Sequence, residues 1–366
     1  MQTQIVDIAV IGGGPAGATF ARLAAAHFHI AMLDRRNLRG DAHPPGKCCG
    51  GLLSPEGQRS LASLGLTLPL EVLVDPQIFA VRTMDMAVGQ ERYYSRSYIN
   101  MDREAFDRWL ISLLPPTVEV KEQAICQAVE RCAGGFRITY RQGGCVRTLF
   151  ARILVGADGG HSLVRRQLFP GSSLRRYTAV QEWFDAEEQS PFYGAIFDRE
   201  LTDCYAWMIS KNRHLIVGGA FPQESASSRF AALKSKLAER GFSLSHPVKR
   251  EGCAVCRPSG PGNFRLAADG AFLIGEAAGL ISPSSLQGIS YALDSGVLLA
   301  HTLADGPDGA EDRYRRRTRG LRLRILGKLI KNPVLYTPGI RKLVLTSGIG
   351  SLTIPAFGPE KQRQFP

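Results

Sequence analysis

IVDIAVIGGGPAG, residues 5–17 of the 366-residue chain, is the stretch on which the reading of the fold turns. Ile5 to Ile11 is a short apolar, β-branched run, the composition of a strand buried in a parallel sheet. Gly12, Gly14 and Gly17 then fall at GxGxxG spacing. In that arrangement the first glycine permits a tight turn, the second lets a pyrophosphate approach the backbone, and the third lets helix and strand pack closely. Ala16 to Ala26 is rich in alanine and leucine and predicts a helix. Its N-terminus, at Pro15 and Ala16, offers free N–H groups and partial positive charge to phosphates. His29 to Leu33 is a second apolar strand ending at Asp34, seventeen residues after Gly17. That carboxylate is placed to accept hydrogen bonds from ribose hydroxyls. The result is a complete βαβ unit of a Rossmann-type α/β fold. Arg35 and Arg36 follow, suited to stacking on adenine, neutralising a phosphate, or standing solvated in a loop.

Two further turns repeat the theme. Residues 156–165 read GADGGHSLVR after a strand-like run, setting Asp158 between small residues, with Ser162 and Arg165 to organise the next helix. Residues 275–279 read GEAAG, followed by Pro283 and Gly288. Gly275 and Glu276 end an apolar strand, where a ribityl hydroxyl can be gripped and a flat ring can approach the backbone. A helix entering near Gly288 brings its positive end to the edge where a reduced flavin carries negative charge. Three such turns in this order point to FAD rather than to a nicotinamide dinucleotide alone.

Between these turns the texture changes. Residues 37–54 form a long Gly/Pro-rich loop, and 100–114 have amphipathic helical spacing with Asn100 or Asp102 as N-cap. Residues 117–155 predict short strands joined by Gly-Gly turns. From 176 to 260 aromatics alternate with polar residues, which predicts an antiparallel sheet able to wall a pocket, with Tyr205 and Trp207 on one strand face as substrate contacts. The expected organisation is a discontinuous FAD-binding domain (1–75, 100–175 and 262–310), a β-sheet substrate domain (76–99 and 176–261), and a basic helical C-terminus (311–366).

The three turns together resemble the flavoproteins related to para-hydroxybenzoate hydroxylase. Within these, Lys47-Cys48-Cys49-Gly50-Gly51-Leu52 resembles the cysteine–glycine loop of the geranylgeranyl reductase family, and Tyr205-Ala-Trp207 with Gly218-Gly219 resembles its aromatic substrate wall. The likeness covers nearly the whole chain and is greatest to the CbrA branch. It implies that Arg103 contacts FAD, that Cys49 lies near the flavin ring, and that Lys47 is its electrostatic neighbour. Two departures stand out: Glu276 replaces the usual aspartate, and Met-Ile-Ser follows Trp207 where isoprenoid reductases have Phe-Pro.

These features imply an FAD-dependent oxidoreductase, with reduction of carbon–carbon double bonds in an isoprenoid-like or other apolar substrate as the first reading. Monooxygenation with NAD(P)H and oxygen is the second, and a flavin-binding sensor without catalysis the third. No second GxGxxG appears, so NAD(P)H or another electron donor is expected to visit transiently. Cys253-x-x-Cys256 is a lone pair without the partners a zinc site needs, so no metal is expected. Ser162 lacks the full G-x-S-x-G elbow of a hydrolase nucleophile, since Val164 stands at the second glycine position.

Composition sets the surroundings. The chain is 44% hydrophobic and carries a net charge of +12, which favours acidic partners. No apolar run is long enough to span a bilayer, no signal peptide is expected, and eight scattered cysteines suit a reducing cytoplasm. Between Arg313 and Lys342 there are eleven Lys/Arg and no acid, with Leu321, Leu323, Ile325, Leu326, Leu329 and Ile330 interleaved. That pattern suggests peripheral contact with an anionic membrane, the alternative being a solvated helical face. No base-recognition motif accompanies the charge, so nucleic acid is not an expected partner.

Overall fold

The computed structural model describes residues 4–39, 48–171, 174–187 and 190–352. Lys47 lies outside them. The opening motif folds as β1 (Gln4–Ile11), α1 (Pro15–Ala24) and β2 (Ile30–Leu33). β1 is solvent-free from Ile8 onward and pairs in parallel with β2, Ile8 opposite Ile30. After the loop come β3 (Leu52–Leu53) and α2 (Pro55–Ser63), then the hairpin β4 (Ile78–Asp85) and β5 (Gln90–Asn100), and α3 (Arg103–Ser112). β6 (Glu119–Lys121) precedes a meander of β7 (Ile125–Cys132), β8 (Gly135–Gln142) and β9 (Cys145–Gly156), turning at the two Gly-Gly pairs. α4 (Leu163–Leu168) follows the second motif.

The central stretch supplies β10 (Arg175–Asp185), β11 (Phe192–Phe197), β12 (Ala206–Lys211), β13 (His214–Pro222), α5 (Ala226–Ala238) and β14 (Lys249–Arg257). Short strands β15 (Ala267–Ala268) and β16 (Ala271–Leu273) return to the first sheet. α6 (Ile289–Ala304) begins directly after Gly288, where the sequence places a helix entry. The chain ends in α7 (Ala310–Arg317), α8 (Arg319–Leu329), α9 (Asn332–Tyr336), α10 (Pro338–Ser347) and β17 (Ser351–Leu352).

Two sheets result. The first runs β15-β16-β9-β1-β2-β6, with β8 and β7 hydrogen-bonded outward from β9. The second runs β14-β10-β13-β12-β11-β4-β5-β17, with β3 also on β5. This is the α/β architecture expected: a parallel Rossmann-type core, a largely antiparallel second sheet and a helical C-terminal region. α6 lies directly on α1, and a Cβ on Gly296 would stand 2.7 Å from the carbonyl oxygen of Ala16. That close approach seats the first glycine turn against the third.

Four local differences have physical causes. α3 is capped by Asp102, whose Oδ1 accepts from the amides of Glu104 and Ala105 at 2.8 Å. Asn100 is not a cap. It is buried at the end of β5, where its Nδ2 donates to the carbonyls of Pro76 and Ser210. α5 interrupts a stretch that reads as strand, because Phe230, Leu233 and Leu237 repeat at helical spacing and are buried beneath the second sheet. β4 and β11 pair in parallel, so that sheet is mixed at one junction.

Candidate functional site

The three glycine-bearing turns converge. A cavity of about 690 Å³ is lined by residues of both sheets and by all three turns: Gly12 with Gly14 to Ala16, Ala157 to His161, and Ile274 to Glu276 with Gly288. The glycines of the first motif divide by role. A Cβ on Gly12, at φ +106°, would strike the carbonyl of Ala157 at 2.5 Å. One on Gly17 would press on the carbonyl of Gly12. At Gly14 a Cβ would meet no protein atom within 4 Å. Gly12 and Gly17 therefore serve packing, while Gly14 opens onto the crevice. Every residue singled out from sequence as a site residue lines the cavity except Gly17, which sits behind it.

The acids of these turns are already engaged. Asp34 Oδ2 accepts from the Gly13 amide at 2.7 Å, and both its oxygens accept from Arg36. Arg36 is thus a structural clamp, whereas Arg35 is exposed beside the cavity. Asp158 turns toward α4, accepting from Ser162 Oγ at 2.5 Å and from the amides of Leu163 and Val164. Burial raises its pKa despite those hydrogen bonds. Glu276 uses its extra methylene to cross Gly160 and accept from the Cys256 amide at 2.8 Å, tying the third turn to β14. A Cβ on Gly160 would stand 2.5 Å from that carboxylate, so the second turn is glycine there for clearance. Ser162, in turn, caps α4 by accepting from the Arg165 amide.

The cysteine loop is held by a charge cluster that the sequence did not reveal. Cys49 Sγ accepts from the Gly51 amide at 3.5 Å and from Arg103 Nη1 at 3.8 Å. Arg103 is oriented by Asp107, through Nε at 2.8 Å and Nη2 at 3.3 Å, and Arg36 reaches the same carboxylate at 2.7 Å. Burial opposes ionisation of Asp107, but the two guanidinium groups outweigh it and hold its pKa below the usual range. Among the described residues, Arg103 is the cation in contact with Cys49. Cys253 Sγ donates to the Cys48 carbonyl at 3.3 Å and Cys256 Sγ to the Gly160 carbonyl at 3.0 Å, so these thiols fasten loops.

Behind the loop, Lys211 is buried with its ammonium on three neutral acceptors: Asn100 Oδ1 at 2.7 Å, the Met101 carbonyl at 2.6 Å and the Gly51 carbonyl at 3.4 Å. Burial lowers its pKa to about 8, with Cys49, Asp102 and Glu251 pulling the other way. An unfolded lysine titrates near 10.4, so between roughly pH 8 and 10.4 the unfolded chain binds the extra proton. Stability from this group therefore rises with pH across that window. In urea titrations the wild type should gain about 3 kcal/mol on Lys211→Met between those limits. Parallel pH profiles for the two proteins would show that burial does not lower the pKa of Lys211.

The chain matches no protein-family model. Protein CbrA of Escherichia coli O6:H1 is 45% identical over 346 residues, covering 94% of this chain and 94% of that protein. The chain belongs to the CbrA family. Among solved structures, this CbrA-family fold is similar to a geranylgeranyl bacteriochlorophyll reductase-like protein from Thermoplasma acidophilum, with a TM-score of 0.79 at 18% identity over 98% of this chain and 95% of the other. It is also similar to PqsL of Pseudomonas aeruginosa, described as a probable FAD-dependent monooxygenase, with a TM-score of 0.68 at 19% identity over 94% and 100% of the two chains.

In this CbrA-family chain the far end of the cavity is aromatic. Tyr98, Tyr193, Tyr205 and Trp207 line it together with Ile209, Ile281 and Leu286. Tyr205 meets Trp207 edge-on at 6.0 Å, and Tyr98 meets Tyr193 at 5.7 Å. Tyr205 Oη donates to the Ser285 carbonyl at 2.6 Å, and Trp207 Nε1 donates to Gln181 Oε1 at 3.2 Å. Burial raises the pKa of Tyr193 and Tyr205, which keeps both hydroxyls protonated. Gly218 makes room for the indole, because a Cβ there would stand 2.7 Å from the ring. Tyr98 and Tyr193 were not anticipated as site residues, since nothing local marks which aromatics of a sheet face inward.

Proposed function

We propose that the chain is an FAD-dependent oxidoreductase acting on an apolar substrate, with reduction of a carbon–carbon double bond as its reaction. The observation that carries this reading is the single crevice joining three glycine turns to an aromatic wall. The residues present fit an extended dinucleotide. Gly14 faces open space where a pyrophosphate needs clearance, at the N-terminus of α1. Asp34 and Arg35 stand at the adenosine side, Arg103 and the Gly275–Glu276 turn further along, and α6 starts at Gly288 beside the same cavity. When bound there, FAD supplies two-electron hydride chemistry.

This chain's own residues then bind, orient and protonate. The aromatic wall excludes water and holds an apolar chain. Cys49, positioned by Arg103 and Gly51, and the protonated Tyr193 and Tyr205 are the acids available to deliver the one proton that accompanies the hydride. An electron donor, NAD(P)H or a carrier, has to reach the site transiently. Anaerobic turnover of the purified protein with reduced nicotinamide or dithionite and an alkene acceptor tests the reading. Saturated product without oxygen is the expected result. Oxygen-dependent, substrate-stimulated NAD(P)H consumption would replace it with monooxygenation, and inertness with every donor would replace it with a binding or sensing role.

A further inference from the structure

We infer that the C-terminal helices α8 to α10 form a docking surface for an anionic lipid bilayer, set beside the aromatic end of the crevice. Eight of the fourteen large apolar side chains exposed among the described residues fall between 323 and 352, so exposed apolar groups concentrate in this segment. Ile330 and Ile349 are 78% exposed and Leu343 is 72% exposed. Leu321 and Ile325 of the expected amphipathic stripe point inward instead, leaving Leu323 on the outside.

The charge of the same face is one-signed. Residues 313–352 contain no Asp or Glu. Arg315 is neutralised by Asp312 of its own helix, and Arg317 and Arg324 by Asp305 and Asp294. Arg316, Arg319, Lys331 and Lys342 are exposed and have no acidic partner among the described residues. Aliphatic side chains interleaved with unpaired cations match a bilayer surface, whose anionic headgroups take the charge while the acyl boundary takes the apolar groups. A second copy of the chain would set these cations against each other, and a nucleic acid would leave the isoleucines and leucines in water. No helix among the described residues is long and apolar enough to cross a membrane, so the contact is peripheral.

The surface is held rigidly to the site. Arg341 turns inward from α10 to pair with the buried Asp85 at 2.6 Å and donates to the Leu335 carbonyl at 2.7 Å. Tyr336 Oη donates to the Ser284 carbonyl at 2.7 Å, under the Arg257 guanidinium at 4.7 Å. The adjacent Ser285 and Leu286 line the aromatic end of the cavity. An apolar substrate dissolved in the bilayer would thus lie next to its binding wall, a corollary that rests on the proposed function, whereas docking itself does not.

Vesicle sedimentation of the full chain separates the two. The wild type should pellet with phosphatidylcholine vesicles containing about one-third phosphatidylglycerol at low salt, weaken as salt rises, and ignore pure phosphatidylcholine. Ile330→Glu with Leu343→Glu, and separately Lys331→Glu with Lys342→Glu, should each reduce binding by at least about tenfold while circular dichroism stays unchanged. Absence of binding to anionic vesicles, equal binding to neutral ones, or full binding by both double variants would overturn the inference. So would a wild-type dimer in gel filtration that the same variants dissociate. Bound protein that fails the alkene assay would instead leave docking intact and remove only the reductase reading.

Discussion

Gly14→Val should yield a folded chain that no longer retains FAD, with affinity lowered by at least about a hundredfold. The expectation rests on an asymmetry within one motif. A side chain at Gly14 meets no protein atom within 4 Å, so the fold has no reason to object to it. It does project where a pyrophosphate must come within hydrogen-bonding distance of the α1 amides. Gly17→Val is the contrasting substitution. There the new Cβ collides with the Gly12 carbonyl and nears Ala157, so the damage is to packing and should cost about 3 kcal/mol of stability. Thermal melts and flavin fluorescence on the two variants separate the roles. A yellow holoprotein from Gly14→Val would place the pyrophosphate elsewhere.

Asp107→Ala should be the most destabilising polar substitution near the site. Asp107 is 1% exposed and neutralises both Arg36 and Arg103. Arg36 keeps Asp34 as a partner, but Arg103 loses its carboxylate while still inside the protein. Leaving a buried charge uncompensated costs about 3–5 kcal/mol, far more than the few tenths typical of an exposed i,i+4 pair. Arg103 also carries the contact to Cys49, so the cysteine loop should loosen and FAD affinity should fall with stability. Asp107→Asn, which keeps the shape but loses the charge and turns one acceptor oxygen into an NH2 donor facing a guanidinium, should fall between the wild type and Asp107→Ala. A variant that melts within about one degree of the wild type would mean that Arg103 finds water or another partner.

The contrast between Gly14 and Asp107 shows what could be read in advance. A βαβ nucleotide unit imposes local demands: an unbroken apolar strand, glycines where the backbone must turn or be approached, and an acid at the second strand's end. Those demands appear as contiguous text in residues 5–34, and the strand, turn and helix stand where that text puts them. The three turns were legible for the same reason. The cluster around Asp107 was not, because position 107 of α3 looks like any polar position on an amphipathic helix. Its partners lie 71 residues away at Arg36 and four away at Arg103, and only the folded chain joins them. Lys211 was hidden similarly: a lysine at the Lys-Asn-Arg turn reads as solvent-exposed, yet Asn100, Met101 and Gly51 enclose its ammonium. The sequence offers Asn100 beside Asp102 as the cap of α3, and only the long-range partners of Asn100 remove it from that choice. α5 was absorbed into a strand reading because its apolar residues are sparse and sit between true strands. Glu276 supplies the acid of the third turn but sends it to the Cys256 amide, a use of the longer side chain that spacing alone does not disclose.

Residues 12–16, 157–160 and 274–288 are expected to hold one extended FAD. A crystal structure of the chain grown with FAD tests it most directly. The expected density runs continuously from the α1 N-terminus at Gly14, past Asp158 and Glu276, to a flavin ring near Gly288 and Cys49. Flavin bound outside this crevice, or a crevice that stays free of dinucleotide at saturating FAD, would contradict it.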